Sequence, residues 1–128
     1  PSSSSAASDV YKRQVPAPGP GASAYSVAKA GLTQLARVAS LELGSYGVRV
    51  NVLHPDCVYD TGLWSDDVLE GRAEKYGMSV EAYKSRNILK KEVTSREVAE
   101  MVAAVAGPVF LKTTGAQIPI DGGNDRVI

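Results

Sequence analysis

The chain has one cysteine, Cys57, and one histidine, His54. A single cysteine excludes an internal disulfide, and the chain reads as cytoplasmic. A catalytic thiol needs a base, and no second histidine exists to serve it; Cys57 reads by default as a small, half-buried side chain. No metal site is read from the sequence. Excess charge of either sign is missing too: 14 basic and 14 acidic side chains give a formal net charge of zero. No stretch is strongly basic, which argues against nucleic acid or an anionic membrane as partner. Long apolar runs are also absent. The longest candidate, Met101 to Phe110, is broken by Gly107-Pro108 and falls short of the ~18 residues of a membrane span. The Ser-rich start lacks the apolar centre of a secretory signal.

What is present is a globular balance. The 128 residues are 44% hydrophobic and 22% charged, enough for one modest domain with a core. Residues 1–14 stand apart. Pro1 to Ala7 is low-complexity, Asp9 to Gln14 has no amphipathic period, and no initiator methionine is present. They read as a disordered or foreign leader, and 15–128 as the domain proper. Three prolines make Val15 to Gly21 a rigid extended loop. Gly19-Pro20-Gly21-Ala22-Ser23-Ala24 matches a G-x-G-x-x-A phosphate-loop pattern. It reads as a decoy, because Pro20 has no N–H to offer and Pro16 and Pro18 preclude a central strand before it.

Ser23 to Leu43 has a helical period. Val27, Leu32, Leu35, Val38, Ala39 and Leu41 form a broad apolar stripe, with Ser23 as candidate N-cap and Gly44 and Gly47 as the stop. The small residues Ala28, Ala30, Gly31 and Ala36 allow close approach of another helix or a ligand. So apolar a helix is expected to pack on a sheet on one side and a partner on the other. Tyr25 and Lys29 lie four residues apart, one turn along one face. A cation within a few ångströms of a phenol favours the phenolate, so the two make a plausible proton-transfer pair at a substrate oxygen. With six tyrosines and seven lysines, the spacing alone arises by chance in about one such chain in four. Its context decides.

Val48 to His54 reads as a β-branched strand between Gly47 and Pro55. Loop, helix and strand in that order suggest an α/β unit with a parallel sheet, in which ligands bind at the carboxyl ends of strands. Pro55 to Gly62 therefore reads as the ligand-facing loop, and His54 as structural. Leu63 to Lys91 is polar and weakly helical, with Ser65 and Ser79 as caps. Its length suits a lid or substrate wall. Trp64, Tyr76 and Met78 are candidates for that wall, and packing of the segment on itself accounts for them equally well. Thr94 to Val105 is an amphipathic helix opened by a Thr94–Glu97 capping box and stopped by Gly107-Pro108. Its neutral setting disfavours DNA binding. Ala116 to Ile120 is a second strand, kept to an edge by Pro119, and Asp121-Gly122-Gly123-Asn124 a turn.

Taken in order, these elements resemble the C-terminal half of a short-chain dehydrogenase/reductase. The resemblance rests on Tyr25-Ser26-Val27-Ala28-Lys29-Ala30, on Gly47 to Pro55, on the helix from Thr94, and on Thr114-Gly115 with Ile120-Asp121-Gly122-Gly123. It covers about Val15 to the end. More narrowly, His54 to Gly62, Lys112 to Pro119 and Gly123 to Ile128 resemble the dehydrogenase domain of bifunctional rhamnulose-1-phosphate aldolase/lactaldehyde dehydrogenases of rhamnose breakdown. The fold implied is the C-terminal half of a Rossmann-like doubly wound parallel sheet, truncated. The cofactor implied is NAD or NADP, the substrate a small alcohol or aldehyde, and the assembly a homo-oligomer of the full-length parent. Tyr25 would be the general acid/base. Lys29 would support it and hydrogen-bond the nicotinamide ribose. Pro55, Asp56, Cys57 and Val58 would line the nicotinamide through their backbone, with Thr61 near its carboxamide or a phosphate.

The chain departs from the family's pattern in several places. Asp56 stands where glycine is common, and Thr61 falls one position late. Lys12 or Arg13 occupies the place of the catalytic serine, about a dozen residues before Tyr25. The family's Gly-rich phosphate loop and catalytic asparagine belong to an N-terminal half with no counterpart here. The implication is an inactive fragment of an oxidoreductase, or alternatively a non-catalytic dimerisation or interaction module built on the 23–43 helix.

Overall fold

A computed structural model describes residues 23–124. The expectations for the leader, the proline loop, the Lys12/Arg13 position and the last four residues lie outside that range. The described residues open on helix α1 (Ser23–Leu43), whose bounds match the sequence period. A short 3₁₀ turn, Gly44–Tyr46, follows and ends at Gly47, which takes φ 76° and donates its N–H to the Gly44 carbonyl. A left-handed residue at that point is the ordinary glycine stop.

The orientation of α1 is the first departure from expectation. Its inward face is small and polar: Thr33 and Ser40 are its buried residues. Val27, Leu32, Leu35 and Leu41 lie around the opposite side and are exposed. The Ser40 end seats on the turn before the last strand. A Cβ built on Gly115 would lie 3.1 Å from Ser40 Oγ, so a larger residue at either position would push the two apart.

Strand β1 (Val52–Pro55) is shorter than the Val48–His54 expected. It pairs in parallel with β2 (Gln117–Ile120), Val52 opposite Gln117 and Pro55 opposite Ile120. Upstream of Val52 one backbone bond continues the pairing, Gly115 N–H to the Val50 carbonyl at 2.7 Å, and side chains supply the rest. The Thr114 hydroxyl accepts from Val50 N–H at 3.1 Å. The Asn51 amide donates to the Thr113 carbonyl and accepts from Ala116 N–H. These bonds satisfy the backbone without strand geometry.

Between the strands lie α2 (Asp66–Lys75), α3 (Val80–Lys84) and α4 (Ser95–Ala106). Ser79 caps α3, accepting from Ala82 N–H at 3.1 Å. The capping box of α4 forms as read, with Thr94 and Glu97 bonding each other's backbone N–H. Its other end carries no basic residue in the last turn. Arg49 supplies that cation from 56 positions away, its guanidinium donating to the carbonyls of Val105, Ala106 and Phe110 at 2.8–3.0 Å. A cation on terminal carbonyls satisfies acceptors that the helix leaves open. The core sits away from α1: Tyr59, Leu69, Ala73 and Tyr83 are buried together, with Cys57, Trp64 and Val80 against them.

Candidate active site

The first site element is the start of α1. Tyr25 and Lys29 sit one turn apart, with the ammonium 5.4 Å from the centre of the phenol ring, close enough for cation–π attraction. The Tyr25 ring is partly open, at 42% exposure. A substrate oxygen can therefore reach the phenol from solvent. Helix geometry alone fixes the pair, which is why the sequence revealed it.

The second element is the loop at the carboxyl end of β1. Asp56 N–H donates to the Ile120 carbonyl at 3.1 Å, extending the ladder one residue past the strand. The Asp56 side chain is buried at 3% exposure. Its Oδ2 accepts from the Asn124 amide, and its Oδ1 has no donor among the described residues. Cys57 follows with φ 57°. A non-glycine residue in this left-handed region costs about 1–2 kcal/mol. Its sulfur accepts from Asn124 Nδ2 at 3.5 Å. Val58 then bridges to Val93 in parallel, and the Thr61 hydroxyl donates to the Val58 carbonyl at 3.1 Å. Thr61 thus folds back on the loop that it was expected to accompany at the cofactor. Pro55, Asp56, Cys57 and Val58 form one continuous turn. His54 bonds Gln117 across the two strands at 2.6 Å, the structural role that the sequence indicated.

Beyond the loop, Tyr59 turns inward. Its ring meets Trp64 edge-on at 4.9 Å and Tyr83 at 5.7 Å. Burial first, then the neighbouring Cys57, holds the Tyr59 hydroxyl in its neutral form far above the ordinary tyrosine range. Tyr59 is thus a core residue. Trp64 and Tyr76 belong to the same packing, Tyr76 lying 5.8 Å from Tyr83. Arg86 stacks 4.3 Å over Tyr83. Packing of the segment on itself thus accounts for Trp64 and Tyr76. Asp60 reaches the other way. Its carboxylate accepts from Ser95 N–H and from the Ser95 hydroxyl at 2.7–3.0 Å. Those bonds hold its carboxyl below the usual range.

Sequence reasoning misses the role of Asn124, which its local pattern marks only as the end of a turn. Its partner lies 68 positions away, and no local pattern announces such a contact. The one available signal was Asp56 itself, an acid in a strand-end loop where burial demands a donor.

The described residues contain no group of three or more potential metal ligands, and no helix among them is long and apolar enough to cross a membrane. A family model described as enoyl-(acyl carrier protein) reductase matches residues 7–125. The uncharacterized oxidoreductase YuxG of Bacillus subtilis is 39% identical over 110 residues, spanning 82% of this chain and 16% of that protein. Solved structures match the fold as well. A short-chain dehydrogenase family protein from Francisella tularensis superposes with TM-score 0.66 at 28% identity, covering 84% of this chain and 46% of the other. An actinorhodin polyketide ketoreductase solved with NADPH superposes with TM-score 0.64 at 28% identity, covering 84% and 42%. The chain spans only about two-fifths of the next curated relatives.

Proposed function

The chain belongs to the short-chain dehydrogenase/reductase family, and on that premise we propose that it carries the proton-transfer half of an oxidoreductase active site. The reaction moves a hydride between NAD or NADP and a small alcohol or aldehyde. One observation carries the reading: a phenol and an ammonium fixed one turn apart on α1, 5.4 Å from nitrogen to ring centre. In the reducing direction the Tyr25 O–H donates to the substrate carbonyl oxygen, and in the oxidising direction the phenolate takes the proton back. The Lys29 ammonium lies against the Tyr25 ring and is a donor for a ribose hydroxyl.

The loop from Pro55 to Val58 is the nicotinamide-facing wall, with Thr61 bracing it. A carboxamide is a donor, and the buried Asp56 Oδ1 is an acceptor without one among the described residues, so the residues fit that end of the cofactor. The bound nicotinamide supplies the hydride chemistry. The phosphate end is different. Among the described residues no glycine-rich turn leads from a strand into a helix, the arrangement that cradles a pyrophosphate. The 128 residues alone therefore bind the dinucleotide weakly and do not turn over.

The finer reading is a lactaldehyde-type substrate in rhamnose breakdown, within a longer cytoplasmic protein that self-associates. It is supported by the His54–Gly62 and Lys112–Pro119 stretches. It is also supported by the Bacillus relative, of which the aligned segment is 16%, against 37–42% for the next relatives; that relative is more than twice their length. The test pairs two measurements. In the intact protein, Tyr25→Phe lowers kcat about 100-fold or more while coenzyme affinity stays within about threefold. Calorimetry on the 128 residues alone detects no micromolar NAD binding. Turnover unchanged in Tyr25→Phe, or micromolar binding to the chain alone, rejects the reading.

A second reading is favoured by the exposed apolar side of α1, with Leu35 at 63% and Leu41 at 82% exposure. In it the chain is a non-catalytic dimerisation or interaction module built on 23–43. Co-purification with an intact subunit and no gain in activity distinguishes it.

A further inference from the structure

Two residues far apart in sequence close on each other where the two strands end. Asp56 follows β1, and Asn124 follows β2 by four residues. Both side chains are buried, at 3% and 8% exposure. The turn between is shaped to bring Asn124 back. Gly123 N–H donates to Asp121 Oδ1 at 2.8 Å, and Asn124 N–H donates to the Asp121 carbonyl. Gly122 and Gly123 both take positive φ, 64° and 79°, conformations that cost a glycine little. A side chain at Gly122 would overlap Asn87, which is itself tied to the Lys91 backbone through both ends of its amide. The turn therefore has little room to adopt another path.

One amide nitrogen spans two consecutive residues: Asn124 Nδ2 donates to Asp56 Oδ2 and to Cys57 Sγ. Cys57 is one of two non-glycine residues with positive φ among those described. The arrangement is not one that stability alone selects. It buries a carboxylate whose second oxygen has no donor among the described residues, and an uncharged residue at 56 would avoid that desolvation cost. Locally unfavourable geometry held by its surroundings is a signature of a functional constraint.

We propose that Asn124 is a positioning residue: its side-chain amide clasps Asp56 and Cys57 and so sets the backbone conformation of the ligand-facing loop. If Cys57 relaxes out of the left-handed region, the peptide groups on either side of it rotate, and the N–H and C=O groups of Asp56 to Val58 point elsewhere. The consequence for nicotinamide binding rests on the function proposed above. The conformational claim does not.

The test reads both. The intact protein is compared with Asn124→Ala, Asn124→Asp and the swapped pair Asp56→Asn/Asn124→Asp, which restores one donor facing one carboxylate. The first readout is the labelling rate of Cys57 by a maleimide, resolved by peptide mass spectrometry well below the melting temperature. Labelling rises about tenfold in both single variants, the size of effect expected when one charge-assisted hydrogen bond that closes a segment is lost. It returns to within about threefold of wild type in the swap. The second readout is steady-state kinetics, in which the KM for the coenzyme rises more than kcat falls. Labelling within about twofold of wild type in a folded Asn124→Ala variant overturns the proposal. So does a folded swap that labels as fast as Asn124→Asp. If Asn124→Ala does not fold, the swap alone decides: wild-type labelling supports the clasp and fast labelling overturns it. Labelling that responds in a protein that binds no dinucleotide keeps the clasp and removes the nicotinamide reading. A coenzyme-binding protein whose Cys57 labelling ignores Asn124 does the reverse.

Discussion

The first helix and the segment from Cys57 to Val93 use their apolar residues in opposite ways. Helix α1 is the longest of the described elements, with 21 residues, and it buries a threonine and a serine. Its leucines and valines face out. The later segment is more polar in sequence and more irregular in backbone, yet it holds Tyr59, Leu69, Ala73 and Tyr83 at 4% exposure or less. Its polar groups are tied at the edges, Asp60 to Ser95 and Lys84 to Glu92. An alanine-rich helix keeps its shape through local hydrogen bonds and propensity. The irregular segment has no such reserve and depends on its buried aromatic cluster. Regular secondary structure therefore marks where the Tyr25–Lys29 pair is displayed, and irregular structure marks where the described fold is held together.

The sharpest way to break that comparison is to empty the aromatic cluster. Tyr83 is fully buried and packs against Tyr59, Tyr76 and Arg86. Tyr83→Ala is expected to cost about 3–5 kcal/mol through lost transfer energy and the cavity left behind. That is a large part of the stability of a domain this size. Urea unfolding followed by tryptophan fluorescence measures it, since Trp64 belongs to the same cluster. A midpoint that does not move would mean that the cluster is not the core.

What the sequence made legible follows the range of the physics involved. Ser23–Leu43, the Thr94 capping box and the Ser79 cap depend on residues three or four apart, and each forms where the pattern put it. The Tyr25–Lys29 pair is legible for the same reason. The period of α1 identified its apolar stripe but not which side would face the rest of the chain, because amphipathicity names a face without naming its neighbour. The β-branched run 48–54 was read as one strand. Only its second half is strand, because the Asn51 and Thr114 side chains take most of the backbone bonds before Val52. The Arg49 cap on α4 and the Asn124–Asp56 contact span more than fifty positions. The left-handed φ of Cys57 is a property of its tertiary surroundings, and the residue type argues against it.

Acid offers a second, gentler perturbation, aimed at the link between the loop after β1 and α4. The Asp60 carboxyl is held below its ordinary value by the Ser95 hydroxyl and then by the Ser95 N–H. A carboxylate with a lowered folded-state pKa contributes stability that is present above its unfolded value of about 4. That stability is lost as the pH falls from there through the folded value. The amide resonances of Ser95 and of the first turn of α4 should therefore titrate below pH 4, and Asp60→Asn should remove that transition while leaving the aromatic cluster's melting intact. Because the group is exposed, the effect on global unfolding is smaller than that of Tyr83→Ala. A titration that unfolds both regions together would show that they form one cooperative unit.

The smallest effect is expected on α1. Leu35 is 63% exposed, and leucine and glutamine have similar helix propensities. Leu35→Gln in the 128-residue chain should shift stability by less than about 0.5 kcal/mol. In the intact protein the same substitution discriminates. If the outer face of α1 is covered there, losing a buried leucine costs about 2 kcal/mol or more, and the gap between the two measurements reports the covered area directly. If the shift stays small in both settings, the outer face is exposed in the intact protein as well, and the interaction reading of residues 23–43 fails. A large shift in the 128 residues alone would remove the contrast between α1 and the later segment, since it would show that the outward leucines already support this fold.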